Sequence, residues 1–496
     1  MSLTNILILV GFSLGIFLFS HFNRTRWLRK PLLLILSTGV IFWLQPALPI
    51  RGLDFWLPVA TLALVVLGWV LTSKPEERNP RVTMITGALV VGTVLVIALT
   101  RYLGMTGFLT PSRPPQTMVV VLSLSSIVVF VFGIYKISQA AGFAPLAETA
   151  RGQTNSGTVP YVMGIVILLV IFIALKLPVL TEWLSGVLRH MNGQPRELAS
   201  ALDLRWLGLS YIAFRLIHTL RDRQSGRLPA MALDEYFIYM LFFPAISAGP
   251  IDRSERFIKD LRQPFIPSAA ALGGASKRLV IGLLKKFVIA DLLAMIALNT
   301  INASQLSSSG WAWILVYAYA FQIFFDFSGY TDIAISMGLL MGIKLPENFN
   351  APYLKPNLTQ FWNNWHMTLT QWFRAYFFNP FTRALRSGKK PVSIWLVVLI
   401  TQLSTMILIG MWHGITINFL LWGVWHGVGI FIQNRWSDWT KPLSARIQEK
   451  PVLNKAVTAF TTLLTFQFVA LGWVWFALPS VDLSLLVFGR LFGMGA

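Results

Sequence analysis

Only six histidines occur in this chain of 496 residues, and three of them, His366, His413 and His426, fall between Asn357 and His426, each directly after a tryptophan. Imidazole is the side chain that takes and returns a proton near neutral pH, so general acid or base chemistry is expected in this stretch. The stretch begins NLTQFWNNWHMTLTQWFRAYFF, passes a basic turn, and ends ILIGMWHGITINFLLWGVWHG. Gly410 and Gly414 flank His413 and would let backbone or substrate approach it closely. His426 follows His413 by 13 residues. At roughly 100° per residue that puts it on the opposite side of a continuous helix, in a packing role. His218 is expected to be structural, and His21 and His190 to lie in loops. Trp-His pairs could alternatively be interfacial anchors, since tryptophan favours the headgroup region.

Other chemistries lack their residues. With no cysteine there is no disulfide, thiolate ligand or thiol nucleophile. No HExxH, GxSxG, P-loop or GxGxxG pattern occurs, so no metal site, serine nucleophile or nucleotide site is expected.

The composition decides what holds these residues. Apolar residues make up 55% of the chain and charged ones 12%, with a mean hydropathy of +0.64. That is about half the charge of a soluble chain, and it defines an all-α polytopic membrane protein. The net charge of +21 is then explained by basic loops and anionic lipid headgroups rather than by nucleic acid.

Apolar runs near 20 residues place spans at Leu3–Ser20, Phe55–Leu71, Val82–Leu99, Met118–Tyr135 and Val159–Leu180, with Pro31–Leu44 short. The first run has neither a basic leader nor a cleavage site and is expected to be retained. Arg24, Arg26, Arg29 and Lys30, then Lys74, Arg78 and Arg81, then Lys136 and Arg151 alternate consistently with an extracytoplasmic N-terminus. Thr181–Arg196 is a polar outer connection.

Leu202–Leu220 carries Asp203, Arg205, Arg215 and His218, too many charges to face lipid unless they point into protein or a water-filled cavity. Tyr236–Ile251 is short, broken by Pro244 and Pro250, and flanked by basic clusters, so it should be re-entrant. Leu279–Leu298 holds Lys285, Lys286 and Asp291, and Trp311–Gly338 holds Asp326 and Asp332, charges that could relay ions in a transporter. No two matching halves support that reading.

Phe361, Trp365, Leu369, Trp372 and Tyr376 line one face of an expected amphipathic helix over 357–378, lying along the cytoplasmic surface. Arg383, Arg386, Lys389 and Lys390 form a basic turn after it. Pro391–Trp412 then crosses outward, Ile415–Ile432 returns, and Ala456–Phe476 crosses again before a short tail over Val481–Phe492. The expected organisation is a single integral membrane domain over 1–496, with N-terminal spans over 1–200 and a core over 202–476.

The core carries the motifs FFPAISAGPIDRSERF (242–257), KKFVIAD (285–291), FFDFSGYTDIAISMGLLMGIKLPENFNAPY (324–353), FWNNWHMTLTQWFRAYFF (361–378) and GMWHG (410–414). In these motifs it resembles the membrane-bound O-acyltransferase family, in its bacterial branch of alginate O-acetylation and teichoic acid D-alanyl transfer proteins, and the GPIDR form looks closest to the D-alanyl subgroup. The resemblance implies a ring of roughly 11–13 membrane helices, with re-entrant and amphipathic helices around a central tunnel.

It maps the family's two site histidines onto His413 and His366. His413 would be the general base on an acceptor hydroxyl, and His366 would orient the donor or stabilise the oxyanion. Asn364, Trp365, Trp412, Asp326 and Arg253 are expected to bind substrate. No cofactor or metal is implied beyond a cytoplasmic thioester donor, acyl-CoA or an acyl or aminoacyl carrier protein. The implied acceptor is a hydroxyl of a cell-envelope polymer outside the bacterial inner membrane. It would be reached directly or through an SGNH-like extracytoplasmic or membrane-anchored partner acyltransferase. The different-class alternative is a transporter or lipid-translocating protein without covalent chemistry.

Overall fold

The structure is a computed structural model that describes residues 1–22, 28–104, 109–140, 159–387 and 392–494. Arg24, Arg26, Arg151, Lys389, Lys390 and Pro391, and the side chain of Lys136, lie outside the described residues. Among the described residues there is no strand, and the chain divides into two compact units, 1–276 with 334–345, and 277–333 with 346–496.

The first unit contains α1 (Leu3–Phe22), α2 (Arg29–Trp43), α3 (Leu53–Thr72), α4 (Pro80–Leu99), α5 (Thr117–Ala140), α6 (Val159–Lys176), α7 (Pro178–Met191), α8 (Leu209–Gln224), α9 (Leu233–Leu241) and α10 (Ser254–Arg262). Helix α11 (Ala269–Leu284) follows. The expected span from Val159 ends at Lys176 because Pro178 opens a new helix, bent 90° from the first. The connection expected over Thr181–Arg196 is therefore largely α7, an amphipathic helix.

Helix α8 begins at Leu209 rather than Leu202, behind a left-handed Gly208 at φ 69°. Its charges turn inward. Arg215 donates to the Met240 and Ala245 carbonyls at 2.7 and 3.1 Å, and His218 Nε2 lies 3.1 Å from Asp222. Helix α9 has nine residues, a rise of roughly 13 Å against a hydrocarbon core near 30 Å, and a 3-10 turn over Phe243–Ala245 ends it. That segment is too short to cross.

The second unit takes the end of α11 and continues it through a π-helical turn over Lys285–Ala290 into α12 (Asp291–Ala294). Then come α13 (Thr300–Ser304), the 32-residue α14 (Ser309–Leu340), α15 (Leu358–Asn364), α16 (Met367–Phe373), a second π turn over Arg374–Phe378, and α17 (Asn379–Arg386). The last elements are α18 (Ile394–His413), α19 (Ile417–Trp439), α20 (Lys441–Gln448), α21 (Pro451–Ala477) and α22 (Val481–Leu491). Residues of α14 up to Ile333 belong to this second unit.

Six helices among the described residues are long and apolar enough to cross a membrane, or seven if the bent α6 and α7 pair is one span. Helices α2 and α9 are shorter than a span, and α8 is more polar than a lipid-facing helix.

Two glycines set the crossing of α11 and α14. A Cβ on Gly282 would lie 2.8 Å from the Gly329 carbonyl oxygen, and one on Gly329 would lie 2.8 Å from the Gly282 oxygen and from the Lys286 nitrogen. At that approach the lysines of the π turn straddle α14. Lys285 meets Asp332 at 2.7 Å, Lys286 pairs with Asp326, and Arg278 reaches Asp332 at 3.0 Å. Lys285 and Lys286, expected within one membrane helix, are thus ion-paired with Asp332 and Asp326, expected within another.

Candidate active site

All the residues below belong to the second unit unless stated. Asn357 caps α15 by accepting the Gln360 N–H at 2.8 Å, and the helix ends after Asn364. His366 then adopts a left-handed backbone, φ 41° and ψ 53°, and α16 starts at Met367. The amphipathic helix expected over 357–378 is therefore broken at His366 into the seven-residue α15 and a second helix that starts with α16 and runs on through the π turn. The aromatic spacing at 361, 365 and 369 reads as continuous because the break is imposed from outside the segment.

Asn348 imposes it. Its carbonyl accepts the Met367 N–H at 2.9 Å, and its Oδ1 accepts the Thr368 N–H at 3.2 Å and the Thr368 hydroxyl at 2.6 Å. Asn350 N–H donates to the Asn364 carbonyl at 3.1 Å from the same segment. Ala351, at φ 44°, is the other non-glycine residue with positive φ among the described residues. A left-handed L-residue costs roughly 1–2 kcal/mol, so this joint is held in place by its surroundings.

His366 is 3% exposed, and its Nε2 is buried without a hydrogen-bond partner. Its ring meets Phe327 at 4.7 Å and Trp412 at 6.2 Å. Burial, reinforced by the charge that His413 can carry, pushes the imidazole down to about 3, so His366 is neutral at physiological pH.

His413 ends α18, where its ring is half-buried against Trp412 at 4.6 Å, Phe476 at 4.7 Å, Trp422 at 5.8 Å and Phe419 at 5.9 Å. Trp412 thus touches both histidines, and the separation of their ring centres cannot exceed the sum of the two distances to it. The flanking glycines serve the packing of α18 on α19. A Cβ on Gly410 would collide with the Phe419 carbonyl oxygen, and one on Gly414 would lie 2.8 Å from the Phe419 ring.

The other expected site residues separate. Trp365 is buried in an aromatic core, stacked on Phe361 at 5.6 Å with Trp473 at 5.1 Å and Phe349 at 5.2 Å. Asn364 turns its amide back to the Gln360 carbonyl at 2.8 Å. Asp326 is held by Lys286, one residue before the Phe327 that packs on His366. Arg253 is an exposed residue of the first unit, with its backbone N–H donating to Asp252 at 2.7 Å.

His426 is fully buried between Trp422 at 5.0 Å and Trp362 at 5.1 Å, with neither ring nitrogen hydrogen-bonded. Sequence reasoning missed Asn348, Phe327, Trp422 and Phe476. Phe327 and Asn348 had a signal, since both sit in the motif over 324–353. Among the described residues no group of three or more histidine or acidic side chains is close enough to hold a metal ion.

The described residues form a multi-pass helical protein in which two histidines meet one tryptophan. The model of the membrane-bound O-acyltransferase family matches residues 200–468, and the chain belongs to that family. It is an O-acyltransferase, and the reading as a transporter without covalent chemistry falls away.

Relatives include the teichoic acid D-alanyltransferase of Streptococcus thermophilus, 33% identical over 55% of this chain and 68% of the relative. That of Bacillus subtilis is 30% identical over 70% of this chain and 83% of the relative. The probable alginate O-acetylase AlgI of Pseudomonas syringae is 33% identical over 58% of this chain and 52% of the relative, so the chain spans about half the length of that protein.

Proposed function

We propose that the protein transfers an acetyl or D-alanyl group from a cytoplasmic thioester, acyl-CoA or an acyl or aminoacyl carrier protein, to a hydroxyl of an extracytoplasmic envelope polymer. The transfer runs directly or by relay to a partner acyltransferase. The observation that carries this reading is the pairing of a buried, neutral His366 with a half-buried His413, both in ring contact with Trp412. The names of the relatives, D-alanyltransferase and O-acetylase, supply the acyl class and the polymeric acceptor.

His413, the less enclosed of the two, accepts the proton of the acceptor hydroxyl as its oxygen attacks the thioester carbonyl carbon. His366, with its pKa held far below neutrality, is a poor base and a suitable neutral hydrogen-bond donor to the oxyanion that forms. The C–S bond then breaks, the thiolate takes the proton back from His413, and an O-ester and a free thiol leave.

The positions of the basic loops support a donor side in the cytoplasm and an N-terminus outside, in the inner membrane of a bacterium. Membrane vesicles containing His413→Ala or His366→Ala are assayed for thiol release from acetyl-CoA and from D-alanyl carrier protein, and for label in polymer. Loss of turnover by about 10²–10⁴-fold in each folded variant is expected. Wild-type rates in His413→Ala would remove it as the base. Label passing to a second protein before polymer would establish relay.

A further inference from the structure

We propose that Asn348 is a catalytic residue, which clamps the His366 turn through its oxygens and donates from its side-chain Nδ2 to the carbonyl oxygen of the acyl donor. The inference rests on the reading of His366 as the group at that oxygen.

Asn348 is 0% exposed. Its Oδ1 accepts the backbone N–H of Thr368, which can only donate, so the oxygen and nitrogen of the amide are unambiguous. The remaining Nδ2 carries two N–H groups, and no protein atom accepts either. An unsatisfied buried donor costs about 1–3 kcal/mol, and folded proteins keep few of them.

This one stands on the residue whose carbonyl holds Met367, directly after a histidine whose own Nε2 is also buried and unbonded. Two neutral groups without hydrogen-bond partners, both fixed at one turn, suit a centre where negative charge appears during reaction and is absent before it. Acyl transfer creates one such centre, the oxyanion of the tetrahedral intermediate. A neutral imidazole and a carboxamide both stabilise that charge without exchanging a proton with it. Thr368 completes the arrangement as a positioning residue, because its hydroxyl and N–H hold the amide by its oxygen.

The test compares Asn348→Asp, Asn348→Ser and Thr368→Val with His366→Ala, as full chains in membrane vesicles, using whichever of acetyl-CoA and D-alanyl carrier protein the wild type turns over. Asn348→Asp retains the acceptor for Thr368 and loses the donor. Its kcat should fall about 10²–10³-fold with KM for the donor changed by less than threefold, the pattern of an interaction made only in the transition state. Thr368→Val, which keeps the backbone N–H, should stay within about tenfold of wild type.

A kcat within threefold of wild type in Asn348→Asp, or a loss confined to KM, overturns the inference. Failure of both Asn348 variants to be recovered folded also overturns it, since the residue would then be scaffold alone. If His366→Ala itself transfers at the wild-type rate, the underlying reading of His366 fails instead.

Discussion

Gly423 in α19 gives the sharpest test of how His413 is held. A Cβ at Gly423 would lie 2.7 Å from both the Met406 carbonyl oxygen and the Ile407 Cα of α18, and 3.0 Å from the Ile407 nitrogen. These are backbone atoms, so no side-chain rotation relieves the overlap. The two helices must part by about 0.7 Å to restore ordinary contact. Overpacking of this kind costs about 1–3 kcal/mol, offset by up to about 1 kcal/mol from the better helix propensity of alanine. Gly423→Ala should therefore destabilise by about 1–2 kcal/mol net.

The neighbouring Trp422, which packs on His413 at 5.8 Å, moves with α19, and a shift of that order at a reacting group costs roughly tenfold in rate. Thermal unfolding in detergent is followed by tryptophan fluorescence, with thiol release measured on the same preparation. Gly92→Ala in α4, where nothing lies within 4 Å of the added methyl, is the control and should be neutral or slightly stabilised. A Gly423→Ala protein that melts with Gly92→Ala and turns over at the wild-type rate would refute the close packing of α18 on α19.

Ala351→Gly should stabilise the protein by up to about 1 kcal/mol, because the relief at φ 44° exceeds the extra chain entropy of glycine; a lower melting temperature would count against the left-handed joint. Asp332→Ala leaves Arg278 and Lys285 facing each other, and about 3 kcal/mol should be lost in chemical denaturation, partly recovered by adding Lys285→Met. Burial alone would raise the Glu235 carboxyl, but hydrogen bonds from Arg262 and Lys30 outweigh it and push it down to about 2. Its stabilising contribution is complete above the ordinary glutamate value and is lost as pH falls from about 4.5 to about 2. Glu235→Gln should flatten the loss of melting temperature in that window, and an unchanged acid limb would contradict the ion-pair assignment.

The sequence announces most helices of this protein, because long apolar runs bounded by basic residues have few alternative readings. Expected spans such as Leu3–Ser20, Phe55–Leu71 and Trp311–Gly338 lie inside observed helices with ends shifted by a few residues. Positions of the charged residues inside helices were legible, but their partners were not. Asp326 and Lys286 are 40 residues apart in sequence, and only the Gly282 and Gly329 crossing brings them together. The break at His366 was illegible for a related reason. No glycine or proline marks it, and the residue that enforces it, Asn348, precedes it by 18 positions in a loop. Paired histidines were visible as residue types, whereas their common contact with Trp412 needed α18 and the α15–α16 joint to be placed in three dimensions.

The joint itself bears on the order in which the protein assembles. Helix α15 has seven residues, fewer than the dozen or so at which an isolated helix becomes even marginally populated in water, whereas α16 runs on without a break through the π turn into α17. Helix α15 cannot form ahead of its neighbours, and a left-handed histidine after it gives nucleation no help. The His366 turn therefore depends for its shape on Asn348 and on the α14 face bearing Phe327 being in place. Damage far from the histidines, in the loop carrying Asn348 or along α14, should then silence the enzyme while leaving it inserted, abundant and largely helical.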